Sequence, residues 1–169
     1  MERIIVFFCD IYGTIKGNID NSENDYVELN NILNSICEQN GDTKILFVLV
    51  STESESIVKQ FYKTLTKYFG ENILFGRQFH ETGYLINDSS IEVISGKCNS
   101  MINYMKEISK WLDIAKVYYI DDNCFLQEMV QECTNINFPN VEVESIIPTK
   151  GIGLSEVNQL LEEHISKKY

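Results

Sequence analysis

Residues 4–14 read IIVFFCDIYGT, an unbroken β-branched and aromatic run that stops at an aspartate and is followed by a glycine and a threonine. A continuous apolar run of this kind is the mark of a strand covered on both faces, as in the middle of a parallel sheet. The spacing predicts a strand over residues 3–9, with Asp10 directly at its end. Gly13 lets the backbone turn tightly there and come close to a ligand.

Outward from this strand, apolar runs alternate with helical patterns. Tyr26, Leu29, Ile32, Leu33 and Ile36 recur at intervals of three and four, which predicts a helix over 25–39 after a polar loop over 17–25. A second buried strand is expected over 44–50. A helix over 53–69 follows, then a short strand over 72–75. Residues 84–86 and 91–94 read as a hairpin across Asn87-Asp88-Ser89-Ser90. A helix over 97–112, a strand over 116–120, a helix over 123–133, a strand over 141–143 and a helix over 154–165 complete the chain. Strand and helix alternating in this way specify an α/β fold, a three-layer, doubly wound (Rossmann-like) parallel sheet. No repeat or linker divides the 169 residues, so one domain is expected over 1–169.

Composition narrows the function. Fourteen basic against 25 acidic side chains give a formal charge of −11, which argues against a broad nucleic-acid surface and against anionic membrane. No apolar run is long enough to span a bilayer. The N-terminus has no basic region leading into an apolar stretch and cleavage site, so a cytoplasmic location is expected. Five cysteines without a CxxC pair read as free thiols.

Ligands of open α/β sheets sit at the carboxyl ends of the strands, so the residues after each run carry the functional information. The first strand ends in Asp10, the second in Ser51-Thr52 and the strand at 117–120 in Asp121-Asp122; Lys97 opens the expected helix before that strand. Taken singly, these are ordinary: Asp121 or Asp122 suits a helix cap, Ser51 a helix N-cap, and Lys97 a solvated surface. Taken together and in this order, they make a phosphoryl-transfer set. Three carboxylates gathered by the sheet repel one another unless a cation neutralises them, and oxygen donors of this type suit Mg²⁺. A carboxylate can attack phosphorus, while a hydroxyl and an ammonium stabilise the phosphoryl oxygens. A dinucleotide fold would need G-x-G-x-x-G after the first strand, and only Gly13 is there.

The same residues resemble the motifs of the haloacid dehalogenase (HAD) superfamily, most of whose members are phosphatases. Residues 4–14 look like its first motif, a strand followed by D-x-D-G-T; FVLVST at 47–52 looks like the second; Lys97 the third; and VYYIDD at 117–122 the fourth. The resemblance implies that Asp10 is the nucleophile. It implies that the side chains of Asp10, Asp121 and Asp122 and the backbone carbonyl of Tyr12 hold Mg²⁺, and that Ser51 and Lys97 bind the phosphoryl group. The substrate is then a phosphorylated molecule. The short stretches between motifs leave no room for a large cap domain, so the expected site is open and suits bulky or macromolecular phosphates.

One position departs from the pattern. The second aspartate of D-x-D-G-T, the family's general acid/base, is Tyr12 here. A phenol ordinarily keeps its proton to about pH 10 and is a poor substitute. Three functions follow: a phosphatase that is slow for want of this acid; a weak or inactive relative that binds a phosphorylated ligand or a protein partner; and a 2-haloacid dehalogenase, whose first motif carries tyrosine at this position but whose branch lacks the acidic pair. His80 is a candidate replacement acid, although a surface histidine is the plainer reading.

Overall fold

The structure, a computed structural model, describes residues 1–51, 53–76, 79–80, 91–149 and 151–167. Strands β1 (Glu2–Cys9), β2 (Lys44–Ser51), β3 (Ile73–Phe75), β5 (Leu112–Ile120) and β6 (Glu142–Ile146) form a wholly parallel sheet in the order β3-β2-β1-β5-β6. The two-residue β4 (Phe79–His80) pairs with the end of β2. Helices α1 (Glu23–Gln39), α2 (Glu55–Thr66) and α5 (Leu154–Ser166) cover one face, and α3 (Ile91–Ile108) and α4 (Cys124–Asn137) cover the other. This is the three-layer α/β architecture that the alternating pattern specifies. Among the described residues no separate cap domain stands over the carboxyl edge of the sheet.

Side-chain parity builds the two cores. Ile5, Phe7 and Cys9 of β1 pack with Ile45, Phe47 and Leu49 of β2 against α1, α2 and α5. Ile4, Val6 and Phe8 pack with Leu46, Val48 and Val50 against α3 and α4. Phe7 is in register with both Phe47 and Tyr118 and stacks on each, with ring centroids 5.2 and 5.7 Å apart. Such ring pairs stabilise beyond the area they bury.

β5 carries an irregularity. Ile4 pairs with Ile114, but the next residue, Ile5, pairs with Lys116, so Ala115 is one residue too many. Such a bulge shifts the alternation by one. Before it, even-numbered Ile114 faces α3 and α4; after it, odd-numbered Val117 and Tyr119 do.

Several boundaries differ from the sequence expectation. The 91–94 run is not the second strand of a hairpin but the first turn of α3; its β-branched residues are helical here because the helix continues through the strong Met101–Met105 stripe into the α3/α4 core. The other hairpin strand, at 84–86, lies outside the described residues, as do Thr52 and the side chain of His80. Helix α1 begins at Glu23 rather than 25, fixed by a capping box in which Ser22 and Asp25 each accept the other's backbone N–H. β5 begins at Leu112, inside the expected helix. All five cysteines are free thiols, as expected.

Candidate active site

Parity carries the chemistry to one place. Asp10 continues the Ile4–Val6–Phe8 face of β1, and Asp121 continues the Val117–Tyr119 face of β5, so both carboxylates turn towards α3. On α3, Lys97 lies four residues before Met101, in the stripe that packs on the sheet. It therefore enters the core rather than solvent and is 3% exposed. The sequence placed Lys97 at the start of a helix; it sits in the second turn of α3 instead.

The Lys97 ammonium donates to Asp10 Oδ1 at 3.1 Å and to Asp121 Oδ2 at 3.2 Å. Two further groups hold Asp121. The Tyr119 hydroxyl donates to its Oδ2 at 2.7 Å, and the Asn123 backbone N–H donates to its Oδ1 at 2.9 Å. The Asn123 side chain caps α4, accepting from the Phe125 and Leu126 backbone N–H groups. The N-cap of α4 is therefore Asn123, rather than either aspartate before it. Gln127 donates to the backbone carbonyls of Asp121 and Ile146, tying the end of β5 to the end of β6.

Ligand oxygens of Asp10, Asp121 and Asp122 all lie within 4.8 Å of one another. Burial pushes the Asp10 carboxyl well above its usual range, and Asp121 pushes it further, while Lys97 pulls it down. Burial also disfavours the charge on Lys97, but Asp10 and Asp121 outweigh it and hold the ammonium above its ordinary value. The donor set consists of hard carboxylate oxygens with one lysine counter-charge for the buried pair. It fits a small divalent cation such as Mg²⁺.

Gly13 shows how closely this loop approaches the cluster. Its φ is +77°, and a side chain there would collide with the Asp122 carboxylate. Gly13→Ala is expected to cost about 1–2 kcal/mol from the left-handed backbone alone and to displace Asp122. Urea denaturation and Mg²⁺ titration of the variant check both effects. Removal of the lysine charge is more severe. Lys97→Met keeps the packing of the stem but leaves two buried carboxylates facing each other, so a loss of roughly 3–5 kcal/mol is expected. Added Mg²⁺ should recover part of it, and chemical denaturation with and without the metal measures the difference.

Of the residues expected from sequence, the structure brings Asp10, Lys97, Asp121 and Asp122 together. Ser51 is buried at the carboxyl end of β2, beside β1, and its hydroxyl accepts from the Glu53 backbone N–H. Tyr12 stands on the loop after β1 with 42% of its surface exposed. Sequence reasoning missed Tyr119. The signal was present: a tyrosine two residues before a strand-end aspartate shares its face.

The architecture is that of a HAD-like domain. Solved structures of the HAD domain of effector protein Lem4 from Legionella pneumophila share it. One superposes with a TM-score of 0.58 at 12% identity, covering 98% of this chain and 94% of that one. A second, of an inactive mutant, gives a TM-score of 0.55 at 12% identity over 99% of both chains. The sequence matches no protein-family model and no curated protein.

Proposed function

We propose that this chain is a Mg²⁺-dependent phosphohydrolase acting through an aspartyl-phosphate on Asp10. The observation that carries the reading is the Asp10–Lys97–Asp121 arrangement. A buried carboxylate at the end of the central strand faces a lysine and two further carboxylates, all at the edge where α/β sheets bind ligands.

Asp10 supplies the nucleophilic oxygen, which bonds to phosphorus as the ester oxygen departs. Lys97 is placed to stabilise the phosphoryl oxygens as charge builds on them, and Ser51 offers a hydroxyl from the neighbouring strand. Tyr119 and the Asn123 backbone hold Asp121 in one orientation. Asp10, Asp121, Asp122 and the Tyr12 backbone carbonyl are the groups that would hold Mg²⁺, which when bound neutralises charge between carboxylates and phosphate. Water then attacks the aspartyl-phosphate, releasing phosphate and restoring the carboxylate. The absence of a cap among the described residues leaves room for bulky phosphorylated substrates.

Tyr12 favours a second reading, in which the site binds a phosphorylated ligand or protein partner with little turnover. Turnover of acetyl phosphate, a small phosphate with a good leaving group, separates the two. Under the hydrolase reading it is measurable with Mg²⁺ and falls by at least about 10²-fold on chelation. Mg²⁺ alone should also raise Tm, since a ligand bound only to the folded state stabilises it by mass action. Absence of both effects would overturn the metal-dependent reading.

A further inference from the structure

Tyr119 lies two residues before Asp121 on one face of β5, and its ring is fully buried among the side chains that α3 and α4 press onto the sheet. Resting on the Mg²⁺-dependent phosphohydrolase reading, we propose that Tyr119 is a positioning residue which, together with Lys97, withholds one oxygen of Asp121 from the cation. This carboxylate then coordinates through its other oxygen alone, and the site discriminates against Ca²⁺.

A carboxylate has two oxygens with about four lone-pair positions between them. Oδ2 of Asp121 accepts twice, from the Tyr119 hydroxyl at 2.7 Å and from the Lys97 ammonium at 3.2 Å. Donors therefore fill both of its positions. Oδ1 accepts from the Asn123 backbone N–H at 2.9 Å. Whatever Asp121 offers a metal ion, it offers through Oδ1. The three donors come from β5, α3 and the N-cap of α4, so the carboxylate is held at both of its oxygens. A rotation that turned both oxygens toward one ion would break bonds at each end.

Lys97 does not secure Oδ2 by itself. Its ammonium is shared, since it also donates to Asp10 Oδ1 at 3.1 Å. The Tyr119 hydroxyl makes the shorter bond to Oδ2, and it supplies a donor without adding a charge to a buried cluster that already holds an ammonium. Phenylalanine would fill the same apolar space. What the tyrosine adds is a hydroxyl, which once buried needs a partner, and Asp121 is that partner.

The consequence is one of selectivity. Ca²⁺ takes about six to eight oxygens and often draws both from one carboxylate, whereas Mg²⁺ is octahedral and is satisfied by single oxygens and water. Confining Asp121 to one oxygen deprives Ca²⁺ of a ligand and Mg²⁺ of none.

The test is calorimetric titration of wild type and Tyr119→Phe, each with Mg²⁺ and with Ca²⁺ at fixed ionic strength, with Tm in the absence of metal as the check on folding. The expected result is that the ratio of the Ca²⁺ Kd to the Mg²⁺ Kd falls by at least about tenfold in the variant, the usual scale for a residue that orients a metal ligand. A merely structural role would weaken both ions in proportion, so a ratio that stays level or rises overturns the proposal. Acetyl phosphate turnover by wild type with Mg²⁺, lost on chelation, leaves the hydrolase reading standing in that case. Wild type that binds neither cation overturns both. Should the variant fail to fold, crystals of wild type soaked with Mn²⁺, located by its anomalous scattering, decide the matter. Contact through Asp121 Oδ1 alone is expected, and contact through Oδ2, singly or together with Oδ1, overturns the proposal.

Discussion

Asp10→Asn is expected to lower phosphate-ester turnover by at least about 10⁴-fold while the protein remains folded. The substitution is nearly isosteric. An amide oxygen can still accept from Lys97, but it cannot displace an ester oxygen from phosphorus. The folded state should suffer little and without metal should gain, because burial and Asp121 both oppose a charge at this position. The combination is diagnostic: unchanged or raised Tm without Mg²⁺, and turnover at background. Near-normal turnover in the variant would show that the nucleophile lies elsewhere.

Tyr12→Asp is expected to act in the opposite direction, raising hydrolysis of alkyl phosphates by about 10²–10⁴-fold, the usual worth of a positioned general acid. Tyr12 stands on the loop after β1, outside both buried cores, so the exchange removes little core packing. The gain should be smallest for substrates whose leaving group departs without help, such as acetyl phosphate. A profile of rate against leaving-group pKa therefore separates the two proteins: steep for wild type, flatter for the variant. If Tyr12→Asp leaves alkyl phosphate hydrolysis unchanged, proton supply at this position does not limit the rate.

The strand-forming runs were the most legible part of the chain. Residues 4–9 and 45–50 are apolar at every position, and only a strand sandwiched between helix layers can bury both of its faces. That Asp10 and Asp121 share one edge of the sheet followed from the rule that parallel strands end together; that their strands are neighbours is a matter of sheet order, which no local pattern in the chain encodes. Residues 91–94 misled because a short apolar β-branched run carries no periodicity of its own; its helical state is decided by packing further along α3. The pairing of Lys97 with two carboxylates was hidden for a different reason. A lysine at one helical position looks solvated until the helix stripe around it, Cys98, Met101 and Met105, is known to pack on the sheet.

The extra residue in β5 has a consequence for how this protein can vary. Between position 115 and the end of the strand, chain length works like the phase of a wave. Asp121 lies six positions after Ala115, and the alternation carries the acid at 121, rather than its neighbour at 122, to the lysine on α3. Substitutions that keep a residue apolar leave this phase untouched. Insertion or loss of one residue in the interval would trade the roles of the two acids without altering either. The stretch should therefore drift freely in composition and hardly at all in length, because what protects the chemistry here is a count.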